Sequence, residues 1–304
     1  MPIFTIEQEQ QNEYFTRGFT GIKNALSPEL LKRLQDMATR FENDIMTKHK
    51  QGDMVYGSCV VNDPVGDRLT RYNEIYARDI DTTLDLLSSP PMMAIFRDIC
   101  GRGAVPIQMD ILYKHQHPHP VVLWHQEMQN TRVYPYLNIG IFLDDSLEDD
   151  GCLSYVPNTQ HEQQDIQVLS SKHGWDIPKS IEFPAMAGDI NIQDIMILHG
   201  SKPKRTQGVR RTIYVEIRPY EGILEDNAQS KEWAELKKRF MGLVLRRADP
   251  QDWPKEWKDD YPSDLGSDED EIRNIVSKWE APIPSNYAIF PVEHPEYPVP
   301  ADMR

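Results

Sequence analysis

The 304-residue chain carries 48 acidic and 33 basic side chains, a formal net charge of −15, and its sequence pI is about 5.0. This excess of negative charge repels polyanions, which argues against nucleic acid or an acidic membrane surface as a partner. The N-terminus lacks a basic region followed by an apolar stretch, and no window of the sequence approaches the length needed to cross a bilayer. Three widely spaced cysteines without a CxxC pair fit reduced thiols, so we expect a cytoplasmic protein without nucleic-acid or membrane partners.

The first hundred residues predict two helices. Ser27 is a suitable N-cap and Pro28 suits the first helical position, and apolar residues then recur at helical spacing: Leu30, Leu34, Met37, Phe41 and Ile45. A second, shorter helix is predicted over "PPMMAIFRDICG", beginning at Pro90 or Pro91 and ending at Gly101. Both helices are expected to pack against a core.

From residue 105 the sequence becomes typical of strands. Short runs rich in branched and aromatic residues are separated by Pro, Gly, Asp and Asn; they are IQMDILYK, VVLWHQEM, YLNIGIFLDD, CLSYVP, DINIQDIMIL and RRTIYVEIRPY. Six or more short strands without intervening helices favour a sandwich or jelly roll, mainly β with flanking helices. After residue 221 the chain is charged and rich in Trp and Pro, with one helix-like stretch at 231–247.

We therefore predict one domain over residues 1–304. Its three parts are a helical N-terminal part at 1–104, a β core at 105–220 and an irregular C-terminal extension at 221–304. The final segment from residue 281 is rich in proline and is expected to be extended, either wrapped on the domain or partly disordered.

The stretch "LWHQEMQN" places His125 and Glu127 two residues apart. On a strand such residues point to the same face, with their Cα atoms about 6.6 Å apart, so both side chains can reach one ion. His199, at the end of the run DINIQDIMIL, is the candidate third ligand. Two imidazoles and one carboxylate on one side of an ion leave positions open for substrates, as in non-haem Fe(II) oxygenases. The pair alone is weak evidence, because a lone histidine on a half-apolar strand is more often hydrogen-bonded in the core than bound to a metal.

Two residues near His199 strengthen the metal hypothesis. Ser201 follows two residues later, and Arg210 follows eleven residues later at the start of a predicted strand. A planar guanidinium binds a carboxylate through two hydrogen bonds, and a nearby hydroxyl can donate another. These residues predict a pocket for a small dicarboxylate beside the metal.

The stretch "KHQHPHP" offers a competing metal site. His115, His117 and His119 have the two-residue spacing of a strand face. Pro118 and Pro120 break a regular strand, and Glu127 lies too far along the chain for the HxH-then-Glu spacing of cupins. We therefore interpret this stretch as a loop at the mouth of a pocket.

The order of these motifs resembles a known family. HxE, then "GCLSYVPNTQH", then "GDINIQDIMILHGSKPKRTQGVRR" is similar to the phytanoyl-CoA dioxygenase family of Fe(II)/2-oxoglutarate oxygenases. The resemblance runs from about Gly18 to about Arg218. It implies a double-stranded β-helix, a cupin-like jelly roll, in agreement with the number of predicted strands.

The resemblance also implies roles for individual residues. His125, Glu127 and His199 would hold Fe(II), Arg210 and Ser201 would bind the distal carboxylate of 2-oxoglutarate, and Lys114 would help bind this cosubstrate. His161 falls on the histidine of the family's PGSH motif, which here is PNTQH, so its role is in doubt. The main departure is Glu127, because the family pattern has aspartate there. A retained carboxylate argues against halogenation, since halogenating relatives lack it to make room for chloride.

The function implied by the resemblance is the oxidation, most simply hydroxylation, of a small-molecule metabolite with Fe(II), 2-oxoglutarate and O2, giving succinate and CO2. The acidic balance of the chain disfavours a CoA thioester. The alternatives are a zinc-dependent hydrolase that uses the same three ligands and a non-catalytic binding protein on the same fold. We expect a monomer or a homodimer.

Overall fold

The computed structural model describes residues 3–129 and 133–287. Its helices are α1 (Gln8–Arg17), α2 (Pro28–Lys50), α3 (Ile80–Leu87), α4 (Pro90–Ala94), α5 (Ile166–His173), α6 (Tyr220–Asp226), α7 (Lys231–Arg247) and α8 (Asp268–Ser277). Helix α4 continues as a π-helical turn, Ile95–Cys100, and two 3-10 turns are formed by Ile75–Ala77 and Lys255–Asp260. None of the helices in these ranges is both long enough and apolar enough to span a membrane.

The described strands form two antiparallel sheets. The strands are β1 (Phe19–Ile22), β2 (Ser58–Asp63), β3 (Gly66–Tyr72), β4 (Ala104–His115), β5 (Val122–Gln126), β6 (Leu137–Phe142), β7 (Leu153–Val156), β8 (Ile181–Phe183), β9 (Ile190–Asp194), β10 (Leu198–Ser201), β11 (Val209–Pro219) and β12 (Asn286–Tyr287). One sheet has the order β1-β9-β6-β11-β4-β3-β2, and the other has the order β12-β5-β10-β7-β8. Side chains of β4 and β9 contact side chains of β10 across the gap between the sheets. The predicted jelly roll is confirmed.

The larger sheet is apolar on the side that faces the helices. Neighbouring strands place a row of fully or almost fully buried residues on this side: Met109, Ile111, Ile139, Ile141, Ile190, Ile192, Ile213 and Val215. They share one core with α2, α3, α7 and α8, so helices from both ends of the chain cover the same face. Burying each such side chain contributes about 1.5–3 kcal/mol. The polar side of the sheet therefore faces the smaller sheet.

The two predicted N-terminal helices are present. The Ser27 hydroxyl accepts a hydrogen bond from the Leu30 N–H, which caps α2, and the second helix begins at Pro90 and ends before Gly101. The same part of the chain also contains β1, β2 and β3, which the sequence did not reveal. β1 has only four residues, and β2 and β3 lie at one side of the sheet with mixed exposure. None of the three therefore shows a clear alternation of apolar and polar residues.

Two other segments differ from expectation. The run DINIQDIMIL is two strands, because the chain turns after Asp194, whose carboxylate accepts from the Met196 N–H, and crosses to the other sheet. The chain after residue 220, expected to be irregular except at 231–247, also forms α6 and α8. Helix α8 begins in the acidic segment, where Ser267 caps it and negative side chains favour its first turn. The segment from residue 281 was expected to be extended. Residues 281–287 are described and include β12, and the part from 288 onward lies outside the described residues.

Candidate metal centre and cosubstrate pocket

Two neighbouring strands of the smaller sheet bring the three predicted ligands together. His125 on β5 and His199 on β10 are direct partners across the ladder, and Glu127 follows at the end of β5. Glu127 Oε1 lies 3.1 Å from His125 Nε2 and 3.9 Å from His199 Nε2. One ligand atom from each residue lies within 4.8 Å of the others, and within the described part of the chain no other group of this kind converges.

Backbone hydrogen bonds orient both imidazoles. His125 Nδ1 lies 2.7 Å from the Leu123 carbonyl oxygen, and His199 Nδ1 lies 2.9 Å from the Ile197 carbonyl oxygen. A carbonyl can only accept, so Nδ1 carries a proton in each ring, and Nε2 is the nitrogen that can bind a metal ion. Both Nε2 atoms face the Glu127 carboxylate. Histidine ligands in metal proteins are held in this way.

The ionisation of His199 and Glu127 suits a divalent ion. Burial, followed by the proximity of His125, lowers the pKa of His199 to about 3, so this imidazole is neutral at physiological pH. Burial acts to raise the pKa of Glu127, but His125, His199 and the Ser285 hydroxyl together bring it well below its usual range. A neutral imidazole and an ionised carboxylate are the forms that bind metal. The donor set therefore fits Fe(II).

Beside this centre, two cationic side chains lie opposite each other on neighbouring strands. Arg210 on β11 is the ladder partner of Lys114 on β4, and both side chains are almost fully buried. Lys114 Nζ contacts the Ser201 hydroxyl closely and donates to the Ser201 carbonyl oxygen at 3.2 Å. Arg210 Nη2 donates to the Gly151 carbonyl oxygen at 2.7 Å, while Arg210 Nε and Nη1 have no hydrogen-bond partner.

This pair of cations has the character of an anion site. Burial, and next the charge of Arg210, lowers the pKa of Lys114 well below its usual value, and burial also lowers the pKa of Arg210. Within the described ranges no carboxylate forms an ion pair with either side chain. Buried charges without a partner are costly, and a guanidinium edge with two free donors matches a carboxylate. The pocket fits the distal carboxylate of 2-oxoglutarate.

The comparisons with known proteins agree with this geometry. Residues 14–212 match the family Phytanoyl-CoA dioxygenase (PhyH), which covers more than half of the chain. The chain belongs to this family. The family resemblance and the predicted class of enzyme, an oxygenase dependent on iron and 2-oxoglutarate that acts on a small molecule, are thereby confirmed.

A curated relative and many solved structures are similar to the chain. The relative, a probable alpha-ketoglutarate-dependent hypophosphite dioxygenase of Stutzerimonas stutzeri, is 23% identical over 227 residues, which are 68% of this chain and 77% of that protein. The structure of EvdMO1 has a TM-score of 0.59 at 22% identity, over 69% of this chain and 49% of that chain, so the chain matches about half of its length. HygX from Streptomyces hygroscopicus, solved with nickel and 2-oxoglutarate, has a TM-score of 0.56 at 15% identity, over 71% of this chain and 88% of that chain. The structural likenesses show the shared fold.

Three other histidines considered in the sequence, His161, His115 and His119, do not join the centre. His161, at the family's PGSH position, is exposed and its Nε2 lies 3.1 Å from the Gln160 side chain. In "KHQHPHP", His115 Nε2 contacts the Leu69 carbonyl oxygen and His119 Nδ1 lies 3.6 Å from Asp63 Oδ2. Lys114 and His115 belong to β4, so only the residues after His115 form the predicted loop, and its position at the mouth of a pocket stays a prediction.

A polar network on the Nε2 side of His199 was not predicted from the sequence. Gln193 Nε2 lies 3.1 Å from His199 Nε2, and the Gln193 side-chain oxygen, Oε1, accepts from the Tyr155 hydroxyl at 2.5 Å. Asn191 donates to the same hydroxyl at 2.7 Å, and a side chain at Gly140 would collide with the Asn191 amide. The available signal was the alternation in "INIQD", which places two amides on the face that opposes the isoleucines.

The face of the larger sheet that opposes the metal centre carries further polar side chains, and the space between this face and the centre is called the chamber below. Tyr214 lies four residues along β11 from Arg210, on the same face, and pairs with Asp110. Arg71 on β3 donates to Asp110 at 2.8 Å, yet its side chain is 50% exposed. Partial burial acts to lower the pKa of Arg71, but Asp110 and, more weakly, Glu127 raise it overall, so the guanidinium is charged. The sequence reasoning did not single out Arg71 or Tyr214.

Proposed function

We propose that His125, Glu127 and His199 bind the iron of a phytanoyl-CoA dioxygenase family enzyme. The observation that carries the proposal is the convergence of these three ligand atoms beside the buried Arg210 and Lys114, whose charges lack an anion. A zinc-dependent hydrolase would need the ligands but not the cationic pocket. A non-catalytic binding protein would need neither correctly oriented imidazoles nor an ionised carboxylate.

The cosubstrate is assigned to the cationic pocket. Arg210 offers two unpartnered N–H groups to the distal carboxylate of 2-oxoglutarate, and Lys114 and the Ser201 hydroxyl lie beside them. Gly151 fixes the guanidinium by accepting from Nη2, so the donors are placed before the ligand arrives. Such preorganisation reduces the entropy lost on binding. When bound, iron with 2-oxoglutarate and O2 supplies the oxidising power for hydroxylation, with succinate and CO2 as co-products.

The substrate is proposed to be a small polar compound with an anionic group. Arg71 can bind that group from the open side of the chamber, and the Tyr214 hydroxyl and the Asn138 amide offer further polar contacts on the same face. A long acyl chain would bury these polar groups without partners, which is costly. The acidic balance of the whole chain also disfavours a CoA thioester. The curated relative is named for a small anion, hypophosphite.

The experiment is a screen of succinate formation. Enzyme loaded with Fe(II) is incubated with 2-oxoglutarate, O2 and a panel of small carboxylates, phosphonates and amino acids, and succinate is measured together with the product mass. We expect an anionic substrate to raise succinate formation at least about tenfold and to gain one oxygen atom. His125→Ala and His199→Ala are expected to lose both iron and turnover. Full activity in either variant would contradict the triad.

A matched variant separates the two sites. Arg71→Gln should raise the KM for the substrate while leaving the dissociation constant of 2-oxoglutarate unchanged, because the Arg71 guanidinium binds Asp110, whereas Lys114 and Arg210 contact Ser201 and Gly151. An unchanged KM would remove Arg71 from the substrate site. If Arg71→Gln changed only the affinity for 2-oxoglutarate, the cosubstrate would bind at Arg71 and not at the Arg210 pocket.

We further propose that residues 1–304 act as one domain, because a single core contains residues from Ile6 to Ile275. The three ligands come from one chain, which is compatible with a monomer or a homodimer. The cysteines Cys59, Cys100 and Cys152 are free, which supports a reducing compartment such as the cytoplasm.

A further inference from the structure

The C-terminal part of the chain reaches the metal centre through a short strand. In β12, Asn286 pairs with Gln126 and Tyr287 pairs with His125, so this strand extends the smaller sheet beside β5. The Tyr287 ring stacks on the His125 imidazole, with centroids 4.6 Å apart and planes 6° from parallel. This strand lies more than seventy residues beyond the end of the family match at 212. The centre is thus flanked by a segment outside the matched part of the chain.

Contacts on both sides hold the residues before β12 in place. Ile283 packs against a buried cluster that includes Met128 and Met196. Gln129 donates to the Ser285 carbonyl oxygen at 3.3 Å, and the Asn286 amide donates to the Gln164 carbonyl oxygen at 3.3 Å. The backbone at Ser285 is therefore positioned by its neighbours, independently of any contact with the metal centre.

Ser285 uses this position to contact the carboxylate of Glu127. Its hydroxyl donates to Glu127 Oε2 at 3.0 Å, with the Glu127 backbone carbonyl oxygen as a longer acceptor at 3.3 Å, while the other carboxylate oxygen, Oε1, faces His125 and His199. The two carboxylate oxygens thus have different partners, and the hydrogen bond restricts rotation of the carboxylate. Glu127 is 30% exposed, whereas the side chains of both histidines are almost fully buried, so it is the ligand that packing restrains least.

We propose that Ser285 is a positioning residue that holds Glu127 as a metal ligand. The proposal rests on the proposed function, because it requires Glu127 to coordinate the ion. Glutamate has one more rotatable bond than the aspartate of the family pattern, and the Ser285 hydroxyl offsets that freedom by holding one carboxylate oxygen. Glu127 and Ser285 form a coupled pair, in which the longer carboxylate is matched to a partner supplied from outside the family match. Mutation of a residue that hydrogen-bonds a metal ligand typically lowers metal affinity 10–100-fold.

The test uses the full-length chain, freed of metal and titrated with Co(II), which is stable in air and whose visible spectrum reports its coordination. Dissociation constants are measured by calorimetry for wild type, Ser285→Ala, Ser285→Thr, Glu127→Asp and the double variant Ser285→Ala/Glu127→Asp. Ser277→Ala is the matched control, because Ser277 is an exposed serine that donates within α8. Thermal unfolding without metal checks that each variant is folded.

We expect Ser285→Ala to weaken Co(II) binding about tenfold and to alter the Co(II) spectrum, and Ser285→Thr to bind within about threefold of wild type. With Glu127→Asp, whose carboxylate is withdrawn from the hydroxyl, Ser285→Ala should cost less than about twofold further. Wild-type affinity in Ser285→Ala, or an equal loss in both backgrounds, would overturn the proposal. His199→Ala separates the two hypotheses: if it binds Co(II) as tightly as wild type, the proposed triad itself fails, whatever Ser285 does.

Discussion

Lys114 and Arg210 face each other across β4 and β11, both buried, and no carboxylate in the described residues forms an ion pair with either. Each side chain makes it costlier to charge the other, and both have lost most of their hydration, so the pKa of Lys114 is well below its usual value. If this pair is the cosubstrate pocket, as proposed above, binding of a dicarboxylate offsets that cost. On this proposal, the stability of the free protein and its affinity for 2-oxoglutarate depend on the same two side chains.

Arg210→Ala should weaken 2-oxoglutarate binding. The variant removes a charge-assisted contact through two hydrogen bonds, which is worth on the order of 2–4 kcal/mol. The dissociation constant is measured by calorimetry on the metal-loaded protein. Arg211→Ala is the control, because Arg211 points to the other face of β11 and binds the Asp144 carboxylate at 2.7 Å through two nitrogens. If Arg211→Ala lost the cosubstrate and Arg210→Ala kept it, the assignment would be off by one residue.

Lys114→Met should stabilise the protein without 2-oxoglutarate and weaken its binding of the cosubstrate. Replacing an unpaired buried cation with an apolar chain of similar length is expected to raise the free energy of unfolding by on the order of 1 kcal/mol. Lys204→Met is the matched control, since Lys204 is also buried but contacts the Asp150 carboxylate at 3.1 Å. This control should be destabilised. Urea unfolding measures whether each variant has a higher or lower free energy of unfolding than wild type. A destabilised Lys114→Met would mean that the contacts of the Lys114 amino group with Ser201 already offset its burial in the free protein.

The sequence could predict that the three candidate ligands converge and that Ser201 and Arg210 offer a candidate cosubstrate pocket, because each prediction depends on residue type and short spacing. His125 and Glu127 are two apart on a strand, and Ser201 and Arg210 follow His199 within eleven residues. These spacings lie within short stretches of the chain, so they do not depend on how distant strands pair. The apolar periodicity of α2 likewise predicted a helix and the face that it buries.

The contacts missed by the sequence are those that join distant parts of the chain. Ser285 reaches Glu127 from 158 residues away, and Arg71 reaches Asp110 from β3, the strand next to the edge of the larger sheet, whose apolar pattern is irregular. Short strands such as β12 have too few residues to show any period, and their partner depends on how the rest of the chain packs. Single residues of ordinary type therefore carry no local signal for these roles.

Lys237 on α7 should make stability depend on pH. Its side chain is buried and donates to the Ile107 carbonyl oxygen at 2.7 Å, and burial lowers its pKa to about 8, opposed by Glu74 and Glu216. The unfolded chain keeps the proton up to its ordinary value, so the native state gains stability relative to the unfolded state as pH rises through 8 toward 10. Relative to Lys237→Met, wild type should gain on the order of 1 kcal/mol between pH 7 and pH 9. Urea unfolding at both pH values measures this.

The neighbouring Lys238 provides the control for this pH effect. It is partly exposed and lies over the Tyr220 ring at 4.6 Å. The difference in the free energy of unfolding between wild type and Lys238→Met should stay constant between pH 7 and pH 9. A constant difference for Lys237→Met as well would mean that its amino group keeps the proton throughout this range.

Glu127 decides whether the centre has three protein ligands. Glu127→Ala should lose most activity and most iron, because the ion then keeps only two imidazoles. Glu127→Asp restores the family's aspartate but withdraws the carboxylate by about one bond length, roughly 1.5 Å. The Glu127 backbone N–H donates to the Ile195 carbonyl oxygen at 2.8 Å, which restricts the backbone from following the shorter side chain. Glu127→Asp is therefore expected to keep iron but to turn over more slowly. Iron per chain and succinate formation are measured together, and undiminished values of both in Glu127→Ala would mean that the carboxylate only orients His125 or contacts substrate.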